Sequence, residues 1–449
     1  MKVSISGIRG VYTNDDLSLY EVAKFSRLFA RSLVKPKQKC VLGRDTRPSS
    51  MAIAKIVAAS LMQEGVEVYD LNVAPTPMVF HESRKYRAGC IVTASHNPLE
   101  WNGLKFILEG RGIFENELHI MLNGIPPTEK KLTHVYGQSF QTVSNYINEI
   151  VQLLKQSQNS THSNNHAKVG LDPGGGAACG YINKLFKNLG YKFHSINDVY
   201  GISSRGTDPT VDDLNDLKHL VVANEFNFGF ALDLDGDRLV VVDEHGKKLA
   251  PDTTLLLCMA SALSLGMKKF VTSIDTSVTI EKFAKSYGSA SVKFDFSKVG
   301  ESNVVSKMLK EDADAGGEGS SAGFILPKFN MCRDGFLASA IISSLNTKTI
   351  DECMKLSGQY SQIRTKMSLP SYMHGEIIEK LSDILKRESS DIITMDGIKA
   401  IIDDDSWVLV RASNTEHAIR VSVESKVSLV RTLYNRIINK VQSVYETVK

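Results

Sequence analysis

The chain has 449 residues, of which 42% are hydrophobic and 23% are charged, a balance typical of globular proteins and a length that predicts about three or four domains. Its 53 basic and 50 acidic residues are interleaved and leave a formal net charge of +3, so no basic stripe predicts nucleic-acid binding. The six cysteines include no CxxC pair, and they predict buried thiols rather than disulfides or a zinc site.

The N-terminal segment and the apolar runs bear on location. MKVSISGIRG lacks the apolar core of a signal peptide, and the longest apolar stretch, Thr254–Met267, is too short to span a bilayer. We therefore expect a cytoplasmic protein without membrane association. No sustained heptad pattern predicts an oligomeric interface, so a monomer and a homodimer are both compatible with the sequence.

Strand and helix patterns alternate three times along the chain. The first set comprises the strand-like run Lys39–Arg44, the helical pattern Ser50–Glu64 and the strand-like run Val66–Leu71. The same order recurs in Lys168–Asp172, Gly180–Leu189 and Tyr191–Asn197, and again in Lys269–Ile274, Val278–Ser286 and Ser291–Asp295. Such alternation predicts three consecutive βαβ units with parallel sheets.

The C-terminal segment has a different pattern. Ile398–Ile402, Trp407–Arg411 and Ala418–Val423 resemble antiparallel strands, and a helical stretch follows from Lys426 to the C-terminus, which predicts an α+β domain. Polar or glycine-containing stretches indicate three boundaries, at Gln156–His166, Gly246–Asp252 and Gln359–Ser371. We therefore place the domains at residues 1–140, 141–247, 248–360 and 361–449.

The first polar segment with chemical potential is Thr93–Pro98, which follows the strand-like run Ala88–Val92, where α/β sheets present reactive loops. A loop serine such as Ser95 more often has a structural role when it stands alone. A hydrolase triad is disfavoured, because no GxSxG surrounds Ser95 and His96 is its chain neighbour. Lys105 is a candidate for phosphoryl contact or proton transfer, with a solvated surface lysine as the alternative.

The second segment is Asp233-Leu234-Asp235-Gly236-Asp237-Arg238, between two apolar runs. Carboxylates at alternate positions repel one another unless a cation gathers them, and oxygen ligands beside a phosphate favour Mg²⁺ over zinc. We therefore predict a Mg²⁺ site at Asp233, Asp235 and Asp237, the alternative being an acidic turn solvated by water. Arg238 adds donors suited to phosphate.

A glycine-rich segment, Gly316–Gly323, is the third candidate. Its glycines allow backbone and hydroxyl groups to approach a ligand closely, and its only charged residue, Glu318, is suited to sugar hydroxyls. The same composition is equally compatible with a simple hairpin connection.

The fourth segment, Arg411–Arg420, combines two arginines with small hydrogen-bonding side chains. Such a set suits a phosphate dianion, although a polar hairpin with surface arginines is the alternative. The run Asp172-Pro173-Gly174-Gly175-Gly176 also follows a strand, but it fits neither GxGxxG nor GxxxxGK[ST] and predicts a tight turn.

Together, the TASHNP, DLDGDR, GE-containing and RASNTE segments, with Ser6–Gly10 near the start, resemble the α-D-phosphohexomutase family. That family includes phosphoglucomutase, phosphomannomutase and phosphoglucosamine mutase, and the resemblance covers essentially the whole chain. It implies four domains around a central cleft, three α/β and the last α+β. It also implies interconversion of hexose 1-phosphate and hexose 6-phosphate through a 1,6-bisphosphate, with glucose, mannose and glucosamine phosphates all as candidate substrates.

The resemblance further implies roles for individual residues. Ser95 would carry the phosphoryl group, and Mg²⁺ would be bound by its phosphate and by Asp233, Asp235 and Asp237, with hexose 1,6-bisphosphate as activator. Residues matching family positions around the transferring phosphate are Arg9, His96, Lys105, Arg238 and Lys298, with Lys105 and His96 as proton handlers. Glu318 and Ser320 would recognise sugar hydroxyls. The phosphate that does not react would be bound by Arg411, Ser413, Asn414, Thr415 and Arg420.

Two positions depart from the family pattern and leave the sugar preference open. His417 stands where proline is common, and Ser321-Ala322 replaces Gly-His or Gly-Gly. The Gly-Gly-Glu-Gly opening of the loop is closest to archaeal-type phosphoglucosamine mutases and phosphomannomutases. A haloacid-dehalogenase-like phosphatase is an alternative, although its similar motif normally ends the first strand. A non-catalytic sugar-phosphate sensor is another, although loss of Ser95, the acidic loop or Arg411 would be expected of it.

Overall fold

The computed structural model describes residues 1–124, 136–157, 167–287, 291–413 and 417–449. In these ranges the strands form four sheets that follow one another along the chain. The first three are mixed sheets associated with helices, and the fourth is antiparallel. The predicted fold class, three α/β units followed by an α+β domain, is confirmed.

The first domain contains the phosphate-carrier candidate Ser95. Its elements are β1 (Lys2–Ser4), β2 (Gly7–Val11), α1 (Leu19–Phe29), a π-helical turn (Ala30–Val34), β3 (Lys39–Arg44), α2 (Ser50–Gln63), β4 (Glu67–Val73), α3 (Thr76–Tyr86), β5 (Ala88–Val92), β6 (Trp101–Leu108), β7 (Arg111–Gly112), α4 (Glu115–Leu122) and β8 (Ser139–Gln141). The strand order is β1-β2-β6-β5-β3-β4-β8, with β7 paired to β6. Strand β3 runs parallel to β4 and β5, whereas β6 is antiparallel to β5. Strand β8 spans the proposed boundary at residue 140 and pairs with β4.

The second domain repeats the parallel unit on a smaller scale. Its elements are α5 (Tyr146–Ser157), β9 (Lys168–Asp172), α6 (Tyr181–Leu189), β10 (Lys192–Ser195), α7 (Asn215–Ala223), β11 (Phe228–Leu232) and β12 (Leu239–Asp243). The order is β10-β9-β11-β12, with β12 antiparallel to β11. Helix α6 ends at Leu189 and is capped by Gly190, whose φ of 84° is the left-handed conformation that glycine tolerates at a helix C-terminus.

The third domain has the same topology. Its elements are α8 (Pro251–Ser264), β13 (Lys269–Ser273), α9 (Val278–Tyr287), β14 (Lys293–Ser297), α10 (Glu301–Glu311), β15 (Ala315–Glu318), a 3₁₀ turn (Gly319–Ser321), β16 (Gly323–Ile325), α11 (Gly335–Ser343) and α12 (Thr347–Ser357). The order is β14-β13-β15-β16. Strands β15 and β16 are antiparallel, so the glycine-rich segment is a hairpin connection.

The fourth domain is a sheet of antiparallel strands covered by two helices. Its elements are β17 (Tyr360–Ser368), a 3₁₀ turn (Ser371–Met373), α13 (His374–Lys386), β18 (Asp391–Ile393), β19 (Ile398–Asp403), β20 (Ser406–Ala412), β21 (Ala418–Lys426) and α14 (Val430–Val448). The order is β17-β21-β20-β19-β18.

The polar stretch Gln359–Ser371, where the sequence predicts a domain boundary, mostly forms β17, which pairs with β21 along its whole length. Its polar sequence fits an edge strand with partly exposed side chains. The final helix begins at Val430 rather than Lys426, because β21 extends to Lys426.

Apolar contacts join the domains to one another. One apolar cluster includes Phe80, Tyr146, Phe186 and Phe336 and joins the first three domains into a continuous core. The fourth domain has its own core. It meets the third through a small cluster of Ile274, Trp407 and Leu409 and through polar contacts, described next.

The polar part of this contact uses two buried charged residues of the fourth domain. The Glu424 carboxylate accepts a hydrogen bond from the Val278 N–H at 2.9 Å, at the start of α9. Lys399 Nζ donates to the Ile274 carbonyl oxygen at 2.7 Å. The fourth domain is therefore joined to the third by a mixed surface rather than by a shared core.

All six cysteines lie in the described part of the chain, where they are buried and unpaired, as predicted. Within the described ranges, no helix combines the length and the apolar character that a transmembrane span requires.

Candidate active site

Three of the predicted loops occupy equivalent places in the first three sheets. The Ser95 loop follows β5, the acidic loop follows β11, and Glu318 ends β15. Each of these strands has a parallel partner on one side and an antiparallel partner on the other. The chain therefore delivers three different polar groups from the same position of three related units.

Ser95 joins the first and second domains. Its Oγ donates to Asp233 Oδ2 at 3.0 Å, and the residue is fully buried. Its φ of +53° lies in the left-handed region that serine rarely adopts. The Ser95 N–H donates to Thr93 Oγ1 at 2.8 Å, which helps to hold this conformation. This backbone conformation places the Ser95 side chain on the side of the acidic loop.

Arg47, which the sequence analysis did not select, holds the same loop from behind. Its guanidinium donates to the carbonyl oxygens of Ser95 at 2.6 Å, Asn97 at 2.7 Å and Trp101 at 3.0 Å. Nε pairs with Asp45 Oδ2 at 3.0 Å, and both side chains are fully buried. Burial raises the pKa of the Asp45 carboxyl, and the Arg47 charge opposes this rise. Arg47 lies in a polar stretch of the sequence with no periodicity or motif that would have identified its role.

The three aspartates of the acidic loop form a compact buried cluster. One carboxylate oxygen from each of Asp233, Asp235 and Asp237 lies within 4.8 Å of the others. Burial and repulsion from the other two aspartates raise the pKa of Asp233 well above its usual value. Asp235 Oδ1 and Asp237 Oδ1 are buried without a hydrogen-bond partner among the described residues. An all-oxygen set with unpaired inner oxygens fits a hard divalent cation such as Mg²⁺.

Lys105 is central to this cluster. Its Nζ pairs with Asp235 Oδ2 at 2.8 Å and with Asp237 Oδ2 at 2.9 Å. Burial disfavours its charge, but these carboxylates raise the pKa of Lys105 above the usual lysine value. Lys105 is therefore not a solvated surface lysine, and it lies within β6. By engaging Oδ2 of two aspartates, it leaves their Oδ1 atoms for another cation.

His96 lies beside the Ser95 hydroxyl, and Arg238 and Arg9 contact the two residues that follow Ser95, His96 and Asn97. His96 Nδ1 lies 3.4 Å from Ser95 Oγ, and His96 Nε2 lies 3.5 Å from Arg238 Nη2. Burial and the Arg238 charge lower the pKa of His96 to about 3, so the imidazole is neutral. The Arg238 N–H donates to Asp233 Oδ1 at 3.0 Å, and Arg9 Nη1 donates to Asn97 Oδ1 at 3.4 Å. All three side chains line a cavity of about 580 Å³.

Arg333 is a second functional candidate that sequence reasoning missed. Its Nη2 lies 3.0 Å from Asp237 Oδ2, and its Nη1 lies 3.6 Å from Glu318 Oε2. Its Nε pairs with Glu301 Oε2 at 2.9 Å. Burial disfavours the charge, but these carboxylates raise the pKa of Arg333 well above its usual value. One guanidinium thus connects the acidic loop to the glycine-rich loop.

A second cavity, of about 650 Å³, lies between the third and fourth domains. Ser320, Arg411 and Arg420 line it, and Arg420 lines the first cavity as well. Arg420 Nε also donates to Ser413 Oγ at 3.3 Å. The cavities share four residues in all, Arg238, Glu318, Arg333 and Arg420. The two cavities therefore adjoin.

The remaining predicted residues are not brought into these cavities by the described structure. Lys298 is exposed and is absent from the described lining of both cavities. Asn414 and Thr415 lie outside the described residues. At the two departures from the family pattern, His417 Nδ1 lies 2.5 Å from Ser371 Oγ, and Ser321 Oγ donates to Glu318 Oε2 at 3.4 Å.

Comparison with known proteins matches all four units in chain order. The family models are those of the phosphoglucomutase/phosphomannomutase alpha/beta/alpha domains I (residues 1–122), II (144–246) and III (250–364) and of the C-terminal domain (375–432). The phosphoglucosamine/phosphogalactosamine mutase of Sulfurisphaera tokodaii is 31% identical over 98% of each chain. The phosphoglucomutase/phosphomannomutase of Thermococcus kodakarensis is 30% identical over 94% of this chain and 93% of that one.

A solved structure shares the fold over the whole chain. It is a phosphoglucomutase/phosphomannomutase family protein from Burkholderia thailandensis, with a TM-score of 0.82 and 22% identity, covering 99% of this chain and 98% of that chain. Neither the phosphatase nor the sensor alternative is favoured by these matches.

Proposed function

Because the chain belongs to the phosphoglucomutase/phosphomannomutase family, the α-D-phosphohexomutases, and is an intramolecular phosphotransferase, we propose that Ser95 carries the phosphoryl group between hexose 1-phosphate and hexose 6-phosphate. The observation that carries this proposal is the 3.0 Å contact of Ser95 Oγ with Asp233, within the acidic cluster. We propose glucosamine phosphate as the substrate, because a relative similar over nearly the whole chain is named a phosphoglucosamine/phosphogalactosamine mutase.

Each half of the proposed reaction exchanges one P–O bond for another. The bond from phosphorus to Ser95 Oγ breaks while a bond forms to the free hydroxyl oxygen of the sugar phosphate, giving a 1,6-bisphosphate. The hydroxyl proton passes to a nearby base. The bisphosphate then reorients within the site and returns its other phosphate to Ser95. The neutral imidazole of His96, 3.4 Å from Ser95 Oγ, and Lys105 are the proton-handling groups of this proposal.

The charged residues of the cluster would stabilise the transferring group. When bound, Mg²⁺ would be held by Asp233, Asp235, Asp237 and the Ser95 phosphate, and it would offset charge on the phosphoryl oxygens. Arg238 lines the same cavity and supplies forked N–H donors for phosphate oxygens.

The second phosphate would be bound in the adjoining cavity. Arg411 and Arg420 line it and supply positive charge. Ser413, Asn414 and Thr415 stay in this role as sequence-based proposals. Glu318 and Ser320, which also line this cavity, stay proposals for the sugar hydroxyls, and Lys298 stays a sequence-based proposal for the transferring phosphate. Since the two cavities share residues, a bisphosphate could place either phosphate near Ser95. Closure of the fourth domain would exclude water that otherwise hydrolyses the phosphoserine.

A coupled assay tests the proposal. Wild type, Ser95→Ala and the control Ser204→Ala, an exposed serine of the second domain, receive Mg²⁺, catalytic hexose 1,6-bisphosphate and the 1-phosphates of glucosamine, mannose or glucose. We expect Ser95→Ala to lose more than about 10³-fold in kcat, as when a nucleophile is removed, and Ser204→Ala to retain activity. Absence of interconversion by wild type, or phosphate release independent of Ser95, would refute the proposal and point to a different reaction.

A further inference from the structure

Glu301 presents a carboxylate oxygen to the cavity beside Ser95. It is the first residue of α10, directly after Gly300. Its Oε2 accepts from Arg333 Nε at 2.9 Å and from the Arg333 N–H at 3.1 Å. Its Oε1 has no hydrogen-bond partner among the described residues, and its side chain is 19% exposed and lines the cavity. One oxygen is fixed in place, and the other is available to a ligand.

Glu318, the carboxylate implied by the family resemblance, differs in this respect. Its Oε1 accepts from the Gly300 N–H at 2.8 Å, and its Oε2 accepts from Ser321 Oγ at 3.4 Å and lies 3.6 Å from Arg333 Nη1. Both of its oxygens are therefore engaged within the protein. Glu301 is the carboxylate of this pair with an oxygen left for a ligand.

The side chains that line this cavity favour Glu301 as the place for a cationic ligand group. The described lining contains basic side chains such as Arg9, Lys105 and Arg238, which suit phosphates, and two carboxylates, Glu301 and Glu318. Of these two carboxylates, Glu301 is the one with an oxygen that accepts no hydrogen bond from a described residue. A sugar hydroxyl would form a hydrogen bond to that oxygen, whereas an ammonium group would form both a hydrogen bond and an ion pair with it.

We propose that Glu301 binds the ammonium group of an amino-sugar phosphate and so sets a preference for amino sugars over neutral hexoses. Arg333 positions this carboxylate through the two hydrogen bonds to Oε2. The inference rests on the proposed mutase function, because the cavity must receive the sugar. It adds a residue and a discriminating group that the family resemblance does not assign.

Glu301→Gln keeps the size of the side chain and one oxygen to accept from Arg333, but it places an NH2 group where Oε1 faces the cavity, so it removes the negative charge and the acceptor that an ammonium group needs. We expect kcat/KM for glucosamine 1-phosphate to fall by at least about tenfold, as expected for the loss of one hydrogen bond to a charged group. The value for glucose 1-phosphate should stay within about twofold. Glu311→Gln, at the other end of α10, where Glu311 pairs with Lys307 at 3.0 Å, should change neither value.

Equal losses for both sugars, or no loss for glucosamine 1-phosphate, would overturn the proposal, provided that circular dichroism shows a folded variant. If Glu301→Gln does not fold, Glu301→Met replaces it, with the same selective loss expected.

Calorimetric binding of glucosamine 6-phosphate and glucose 6-phosphate needs no turnover and therefore separates this inference from the mutase function. Selective weakening of glucosamine 6-phosphate binding in Glu301→Gln supports the role of Glu301 even if wild type interconverts neither sugar. If Glu301→Gln changes the dissociation constants of the two ligands equally, or changes neither, the proposed role of Glu301 is refuted.

Discussion

Replacing Arg47 by methionine should damage both stability and catalysis. The substitution removes hydrogen bonds to four backbone carbonyls of the Ser95 loop and its surroundings, those of Ser95, Asn97, Pro98 and Trp101. It also leaves the fully buried Asp45 carboxylate without its cation. Breaking a buried ion pair in this way costs about 3–5 kcal/mol. Because Ser95 is held in a left-handed conformation, a shift of its loop by about 1 Å should lower kcat roughly 10²-fold.

Urea unfolding followed by circular dichroism measures the stability loss, and the coupled assay measures kcat. Arg84→Met is the control, because Arg84 likewise donates to several backbone carbonyl oxygens, those of Pro327, Lys328 and Phe329, but at the surface. We expect that control to lose less than about 1 kcal/mol, since water replaces the lost donor.

A second substitution isolates the charge. Asp45→Asn combined with Arg47→Met should recover part of the stability, because the unpaired carboxylate is gone. The loop carbonyls would still lack their donor, so kcat should stay low. An Arg47→Met protein with wild-type stability and wild-type kcat would refute the reasoning, as would a double variant no more stable than the single one.

Three further predictions concern close packing, pH and metal. Gly103→Ala would place a Cβ 2.2 Å from the Ile8 carbonyl oxygen and should destabilise the protein by about 1–3 kcal/mol in urea unfolding. In the control Gly375→Ala, the new Cβ meets open space in α13, and this variant should be more stable than wild type by up to about 1 kcal/mol. Equal changes in the free energy of unfolding of the two variants would contradict this prediction. Burial lowers the pKa of Lys399 to about 8. Between about pH 8 and 10 the unfolded chain therefore binds more protons than the folded protein, and the stability of wild type should rise with pH by roughly 2–3 kcal/mol relative to Lys399→Met. Parallel curves of unfolding free energy against pH for the two proteins would refute this prediction. Asp235→Asn should weaken Mg²⁺ binding in calorimetry by about 10- to 100-fold, a range typical for damaged metal sites, and an unchanged Kd would exclude Asp235 as a ligand.

Features that depend on neighbouring residues in the chain were accessible from the sequence. The acidic cluster is one example, because alternate residues of a single loop, Asp233, Asp235 and Asp237, are brought together by local geometry. The βαβ units are another, since apolar periodicity reports which face of each element is buried. Ser95 was identified for the same reason, as a polar loop directly follows the buried strand β5.

Features that depend on contacts between distant segments were decided by the tertiary structure. Arg47 and Arg333 occur in polar runs where an exposed arginine is equally compatible with the pattern, yet each is buried against groups from other elements. Lys105 has the same ambiguity and is resolved only by its pairing with Asp235 across the domain interface. The edge strand β17 was not identified as a strand from the sequence, because its polar residues show no burial pattern until β21 pairs with it.

Local sequence therefore determined which residues form each polar loop and where each loop stands relative to its strand. Hydrophobic periodicity and turn-forming residues are patterns of a few neighbouring residues, so they can be recognised in a single sequence. Which charges share a cavity, and which oxygen of Glu301 is left for a ligand, depend on the packing of separate domains. The free energy of a charged group depends strongly on its burial and on the charges beside it, and both are set by the assembled fold.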